Sequence, residues 1–451
     1  MTDDRLTRPA INLPPSPRLP SALRTLGYLT VARPMMQRFH ARYGTAFSMH
    51  IPGFGPGVVI SDPALIKELF GYSADAVEGV EPNLSVIIGP GSTFGLQGAE
   101  HQRRRKLLVA AFRMQRMRSY TGLLEEETLA ASASWPEGEE FPVLPTMLTI
   151  GLNAILRAVF GASGDELDTL RVLVPETIDA GSPLAMLPWL RRDFGRWSPW
   201  HRYIKRREEL YVVLDELITE AQKAPDLSSR QDVLALLLRS VDEDGAAMSR
   251  REIAEELLTF VGAGHETTAT AVSWTIERLR RHPEVLARLA AEVDSGSERY
   301  LDATIQEVLR VRPPVESVAR YVAAPSISLG PWVIPQGYTV VASAALSHQD
   351  NALFDDAQKF DPDRFIEHNP DPYAWIPFGG GGRRCPGAAF AHLEVAVIMR
   401  TLLREFDIEP SRAPAERRKN RGIVHVPGSG GLIAVHRRRQ VAAWGRLEQS
   451  S

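Results

Sequence analysis

A chain of 451 residues, 44% hydrophobic and 24% charged, can bury one large core or two ordinary ones and is too apolar to be disordered. A formal net charge of −3 excludes global attraction to nucleic acid or to an anionic bilayer, so any basic site has to be local. The only cysteine, Cys385, excludes an intramolecular disulfide and any zinc site of several thiolates.

The first twenty residues hold neither an apolar run able to span a bilayer nor a charged-apolar-small signal peptide, which predicts a cytoplasmic protein without an integral membrane segment. Residues 1–20, with Pro14-Pro15-Ser16-Pro17, read as a semi-rigid extended lead-in, because each proline fixes φ and removes a donor. Val58 to Ser61 predicts a strand and Asp62-Pro63 a helix start; the rest of the N-terminal region reads as a small sheet plus loops. Gly89-Pro90-Gly91-Ser92-Thr93-Phe94-Gly95 is not a dinucleotide site. Its glycine spacing is wrong, a proline interrupts it and no acid follows at ribose distance, so a flexible loop is expected.

From His101 through Arg118 run seven cations without an acid, and Leu107, Leu108, Ala111 and Phe112 supply an apolar face: a basic amphipathic helix. It lacks the interleaved aromatics of a nucleic-acid surface. His101 and Arg105, four apart, share one side of that helix and can donate to one anion. Residues 122–239 read as helical and chemically quiet, broken from Gly181 to Pro199 by a proline-punctuated apolar connection that is either a lid or a loop on the core.

Ser249-Arg250-Arg251-Glu252 is a capping box, and no proline follows until Pro283. A central helix of about thirty residues, some 45 Å at about 1.5 Å per residue, is predicted. In its middle, Gly262-Ala263-Gly264-His265-Glu266-Thr267-Thr268 carries a local penalty of about 0.5 to 1 kcal/mol per glycine or threonine. His265-Glu266 is no metalloprotease motif, since position 269 is alanine. Thr267 can bond back to the Ala263 carbonyl and open a groove.

Glu307 and Arg310, three apart on a helix from about Glu298 to before Pro313, sit among Leu301, Ile305, Leu309 and Val311, which predicts a buried pair needing a further donor such as Arg364. Pro313-Pro314-Val315-Glu316-Ser317-Val318-Ala319-Arg320 shifts to extended chain, and Tyr338 to Ala342 reads as a strand. Past residue 405 come short strands around the Gly428-Ser429-Gly430-Gly431 turn, then a basic tail over 437–451 expected to fray.

In Phe378-Gly379-Gly380-Gly381-Gly382-Arg383-Arg384-Cys385-Pro386-Gly387 the glycines let the backbone lie against a large planar body, and helical pattern resumes at Ala388 with Pro386 near the first helical position. Helix dipole and orphan amides there favour a thiolate. Cys385 is a single ligand, a nucleophile or inert packing, and with Arg383 two residues before it suits an axial ligand to haem iron, whose propionates need cations.

Phe378, Gly381, Arg383, Cys385 and Gly387 match Phe-x-x-Gly-x-Arg-x-Cys-x-Gly at every fixed position, and the chain resembles the cytochrome P-450 superfamily of haem-thiolate monooxygenases from about residue 14 to 436. The resemblance implies a mainly α fold with a smaller β region in one catalytic domain, residues 21–436, with haem b between the central helix and the cysteine helix. It implies Cys385 as iron ligand, His101, Arg105, Arg320, Arg383, Phe378, Gly379 and Gly387 as cofactor-binding residues, and Glu266 and Thr267 as the acid and the hydroxyl of a proton relay. Glu307, Arg310 and Arg364 would brace the haem loop; Phe260, Ala263, Val315 and Val318 would line the pocket of a lipophilic substrate. Electrons for O2 would come from a separate donor, a ferredoxin with its reductase, docking on Arg103, Arg104, Lys106, Arg113 and Arg384. A peroxide-using or rearranging enzyme and a haem sensor are the alternatives, and the Glu266-Thr267 pair speaks against them.

Overall fold

The structure, a computed structural model, describes residues 10–80, 83–111, 120–161, 165–186 and 190–438. Helices form most of it, and the strands gather at one side and at the C-terminal end. Gly55–Ile60 and Thr339–Ser343 pair in parallel with Val58 opposite Val340, at the centre of a five-stranded sheet completed by Ala46–Ile51, Ser317–Val322 and Val77–Gly79. The two central strands are almost wholly buried, which accounts for their runs of valine and isoleucine.

The capping box forms as predicted: Ser249 accepts from the Glu252 amide while Glu252 accepts from the Ser249 amide. The central helix then runs from Arg250 to Arg280. Its first half buries Ile253, Leu257 and Phe260 against Leu152, Ile155 and Val159 of the helix Leu144–Phe160. Its second half buries Val272, Trp274 and Leu279 against Val395, Met399 and Leu402 of the cysteine helix, Ala388–Glu405. Side chains of this size contribute about 1.5 to 3 kcal/mol each relative to exposure, so two separate cores anchor one helix.

Several predicted boundaries change. The N-terminal region contains a helix, Ser21–Tyr43, which Pro34 hid from a propensity reading; non-helical dihedrals at Val31, three residues earlier, absorb the proline. The lead-in is tied down from Asn12, which bridges to Val333, and Ser48 donates to the carbonyl of Pro14 at 2.9 Å. The basic helix spans Gly98–Ala111, and the remainder of the predicted run, with Arg113, lies outside the described residues. The predicted break at Gly181 comes later, because the helix Asp165–Met186 continues through Pro183. Arg437 is not frayed: it closes the strand Val435–Arg437 against Phe406–Ile408, and Arg438 pairs with Asp294 and Asp407. Residues 439–451 lie outside the described residues.

Candidate active site

The cysteine loop is closed by one hydrogen bond, from the Cys385 amide to the Phe378 carbonyl at 2.9 Å. Its glycines are needed for space. A Cβ on Gly380 would stand 2.2 Å from the Phe70 ring, and Gly381 combines φ of 64° with a Cβ position 2.6 Å from the Phe70 carbonyl. Phe70, in the last turn of the helix Pro63–Gly71, packs in one cluster with Val58 and Val340 of the sheet, so the loop leans on the β region, while Phe378 meets Trp375 edge-on at 6.2 Å. The following helix begins at Ala388, where helical pattern is expected to resume, with Gly387 as its cap.

Cys385 is reachable by solvent, yet protein surrounds it closely enough for burial to push its thiol pKa up. The Gly387 amide, Arg105 and Arg384 work in the opposite direction without winning. The expected preference for a free thiolate is therefore not met: the dipole and nearby cations are outweighed by desolvation, and an iron ligated here would have to displace the proton itself.

Three elements bring a basic cluster to this loop. His101 and Arg105 come from the helix Gly98–Ala111, Arg320 from the strand Ser317–Val322 and Arg383 from the loop itself. Burial, together with the charges of Arg383, Arg105 and Arg320, lowers the pKa of His101 to about 4, so the imidazole is neutral and donates as such. Burial and mutual repulsion also lower Arg320 and Arg383 to about 10; Glu78 opposes this at Arg383. The cluster is fixed by carbonyls: Arg320 Nη2 donates to Gly380 O at 3.0 Å, Arg383 Nη2 to Leu96 O at 2.7 Å, and Arg105 to Arg384 O. Gln97 Oε1 accepts from Arg383 at 2.5 Å, a contact that no sequence motif marks.

On the central helix, Thr267 Oγ1 donates to Ala263 O at 2.8 Å. The expected local opening is absent, since the helix continues unbroken and the hydroxyl shares that carbonyl. Gly264 lets the helix approach Ile155 closely, so helix crossing accounts for part of the glycine content. Ala263 is exposed and Thr267 half-buried on one face, whereas Phe260, expected beside them, is packed in the core. Val315 and Val318 are half-buried, and Val318 lies against Gly379. Burial raises the pKa of Glu266; Arg421 opposes this and Asp179 adds to it. Glu394, on the cysteine helix, is buried beside Thr268 with its carboxyl pushed up to about 8 and Oε1 without a hydrogen bond. Its signal in the sequence was an acid inside the apolar run Phe390 to Leu403.

The bracing residues meet. Arg310 and Glu307, both wholly buried, form two bonds of 2.7 Å, and Arg364 Nε reaches Glu307 at 3.3 Å. Arg310 also donates to the carbonyls of His348, Ala357 and Lys359, which offsets the desolvation of the pair. His348 accepts from the Ile376 amide at 2.9 Å, linking this network to the segment that enters the cysteine loop. Arg104 departs from expectation. It is 5% exposed and pairs with Glu252 and Glu256, so it belongs to the core and not to a docking surface.

Residues 14–433 match the cytochrome P450 family model. The chain belongs to the cytochrome P450 family. Cytochrome P450 138 of Mycobacterium tuberculosis (strain CDC 1551 / Oshkosh) is 46% identical over 430 residues, 95% of this chain and 98% of that one. Cytochrome P450 135B1 of the same strain is 36% identical over 443 residues, covering 96% and 93%. Among solved structures, the retinoic acid bound cyanobacterial CYP120A1 superposes with a TM-score of 0.82 at 25% identity, covering 95% of this chain and all of that one. The cytochrome P450DA heme domain has the same TM-score at 22% identity and supports the fold alone. The protein is thus a haem-thiolate monooxygenase with the P450 fold, mostly helical with a small mixed β region. Its residues fit the cofactor: a soft sulfur donor faces a glycine-lined approach, and the basic groups around it suit paired carboxylates.

Proposed function

We propose that the protein holds haem b through Cys385 and inserts one atom of O2 into an apolar organic substrate, by hydroxylation or epoxidation, in the cytoplasm. The observation that carries this reading is the convergence of His101, Arg105, Arg320 and Arg383 on the loop that presents Cys385. Bound there, haem would supply oxygen activation. The residues do the rest. His101 and the three arginines take the propionates, and the Gly387 amide donates to the sulfur and tempers its basicity. Phe378 and Gly379 shape the loop, while Glu307, Arg310 and Arg364 brace it from behind.

Glu266 takes up protons and Thr267 passes them on at Oγ1. The upward shift of Glu266 moves it toward the range where a carboxyl both accepts and releases protons near neutrality. Ala263, Val315 and Val318 offer an apolar wall, which favours a fatty acid, terpenoid, sterol or polyketide. The cyanobacterial neighbour described with retinoic acid bound is in keeping with that class. Electrons come from a separate small acidic protein of the ferredoxin type with its reductase, docking near exposed Arg103, Lys106 and Arg384. Arg103 and Lys106 pair there with Asp242 and Glu243.

The test is titration of the purified protein with a lipophile library while the haem absorption is followed, then turnover of the hits with a ferredoxin system. A spectral shift followed by a product carrying one added oxygen is expected. Product formed with hydrogen peroxide but not with the ferredoxin system overturns the proposal in favour of peroxide use.

A further inference from the structure

Cations outnumber acids where the end of the helix Arg299–Val311 meets the central helix, the hairpin strand Arg418–Arg421 and the helix Ser21–Tyr43. Arg278 and Arg281 share the carboxylate of Glu277, and Arg33 and Arg418 share that of Glu316. Arg312 is left with a carbonyl: its Nη1 donates to Val311 O at 3.1 Å, and the same oxygen accepts from Arg418 Nη2 at 2.7 Å. Two guanidinium groups thus crowd one carbonyl. Arg312 Nε is buried without a hydrogen bond, and so is Arg418 Nε, which stands 2.9 Å from Glu316 but out of line for one. The Arg312 guanidinium also lies 5.2 Å from the centre of the Trp274 ring.

Burial, together with the charges of Arg418, Arg278 and Arg33, lowers the Arg312 pKa to about 9, although Glu277 opposes this. Burial, Arg33 and Arg278 likewise lower Arg418 to about 10 against Glu316 and Glu277, so both groups stay charged at neutral pH. Burial lowers His425 too, and it adds a neutral ring 3.8 Å from Glu316. A ring face and a shared carbonyl are poorer partners for a guanidinium than the water it gives up on burial. The surplus has the sign and the forked N–H geometry that suit tetrahedral oxygens. The side chains of Arg33 and Arg418 are 22% and 18% exposed, which admits an ion and not a strand of nucleic acid or protein. We propose that Arg312, Arg418 and Arg33, with His425, bind a small tetrahedral oxyanion of the phosphate or sulfate kind, at a site apart from the basic cluster around Cys385. The ion would tie the N-terminal helix and the end of the helix Arg299–Val311 to the hairpin that also carries Arg421.

Isothermal titration of the full-length, haem-loaded protein with sodium phosphate in a zwitterionic buffer tests this, with sulfate as a second oxyanion and chloride matched in ionic strength. One saturable phosphate site is expected, together with a Tm that rises with phosphate and not with chloride. Arg312→Gln removes the cation that lacks a carboxylate and should weaken phosphate binding about tenfold or more. Without phosphate it should melt no lower than the wild type, because what it removes is an uncompensated charge. Arg312→Lys keeps the charge and loses the fork, so its affinity should fall between the two. The absence of saturable phosphate binding, a chloride effect equal to that of phosphate, or undiminished binding by Arg312→Gln overturns the proposal. A phosphate-free Arg312→Gln that melts well below the wild type assigns Arg312 to packing and overturns it as well.

Discussion

Arg421 Nε lies 2.7 Å from Oε1 of Glu266, and its Nη2 lies 3.2 Å from Asp179. The guanidinium therefore joins three elements: the hairpin strand Arg418–Arg421, the central helix and the helix Asp165–Met186. The contact with Glu266 is close but not aligned as a hydrogen bond, so it acts as a charge beside the acid. Because Arg421 is what opposes the burial-driven rise of the Glu266 pKa, Arg421→Ala should raise that pKa further. The expected outcome is a pH profile of coupled turnover displaced toward alkaline pH, with Arg421→Lys restoring most of it. An unmoved profile accompanied by weaker substrate binding alone would assign Arg421 to pocket shape.

Thr267→Ala should bind substrate normally and divert reducing equivalents to hydrogen peroxide, since the proton loses the hydroxyl that directs it. Stability should change little, because the helix carbonyl of Ala263 that Thr267 shares keeps its backbone partner. Peroxide yield per NADPH consumed is the measurement, and wild-type coupling in the variant removes Thr267 from the relay.

Much of the site was legible because its signals are local. The cysteine loop, the capping box at Ser249 and the pair Glu307 and Arg310 each lie within ten residues of one another, where spacing alone sets geometry. What the sequence hid depends on distance. Arg104 sits in a run of cations that looks like a solvated face, but Glu252 and Glu256, about 150 residues later, turn it inward. Arg421 and Glu394 acquire their meaning only from the central helix they reach. Pro34 concealed a helix because a kink can absorb what propensity forbids.

The burial of Arg104 separates two kinds of charge reversal. Arg104→Glu would leave Glu252 and Glu256 facing a third carboxylate in the core and should cost about 3 to 5 kcal/mol of stability, read by denaturant unfolding. Arg384→Glu, on an exposed residue, should leave stability unchanged and slow first-electron transfer from a ferredoxin, increasingly so at low salt. Equal stability in both variants would contradict the packing of Arg104.

Glu394 supplies a pH dependence of its own. Its folded pKa, about 8, lies above the ordinary 4.5, so the native state keeps a proton that the unfolded chain releases. Its contribution is fully present below pH 4.5 and is lost as pH rises toward 8, at up to about 1.4 kcal/mol per pH unit. Glu394→Gln, a neutral isostere, should flatten that slope, and unfolding free energies measured from pH 5 to about pH 8 check it. Parallel slopes in the two proteins would show that the carboxyl is ionised in the fold.

The spectrum of the dithionite-reduced protein under carbon monoxide tests the role of Cys385 most directly. A strongly red-shifted Soret band in the wild type, abolished in Cys385→His, is the expected result. A folded, haem-loaded wild type with an unshifted, histidine-like band contradicts Cys385 as the axial ligand.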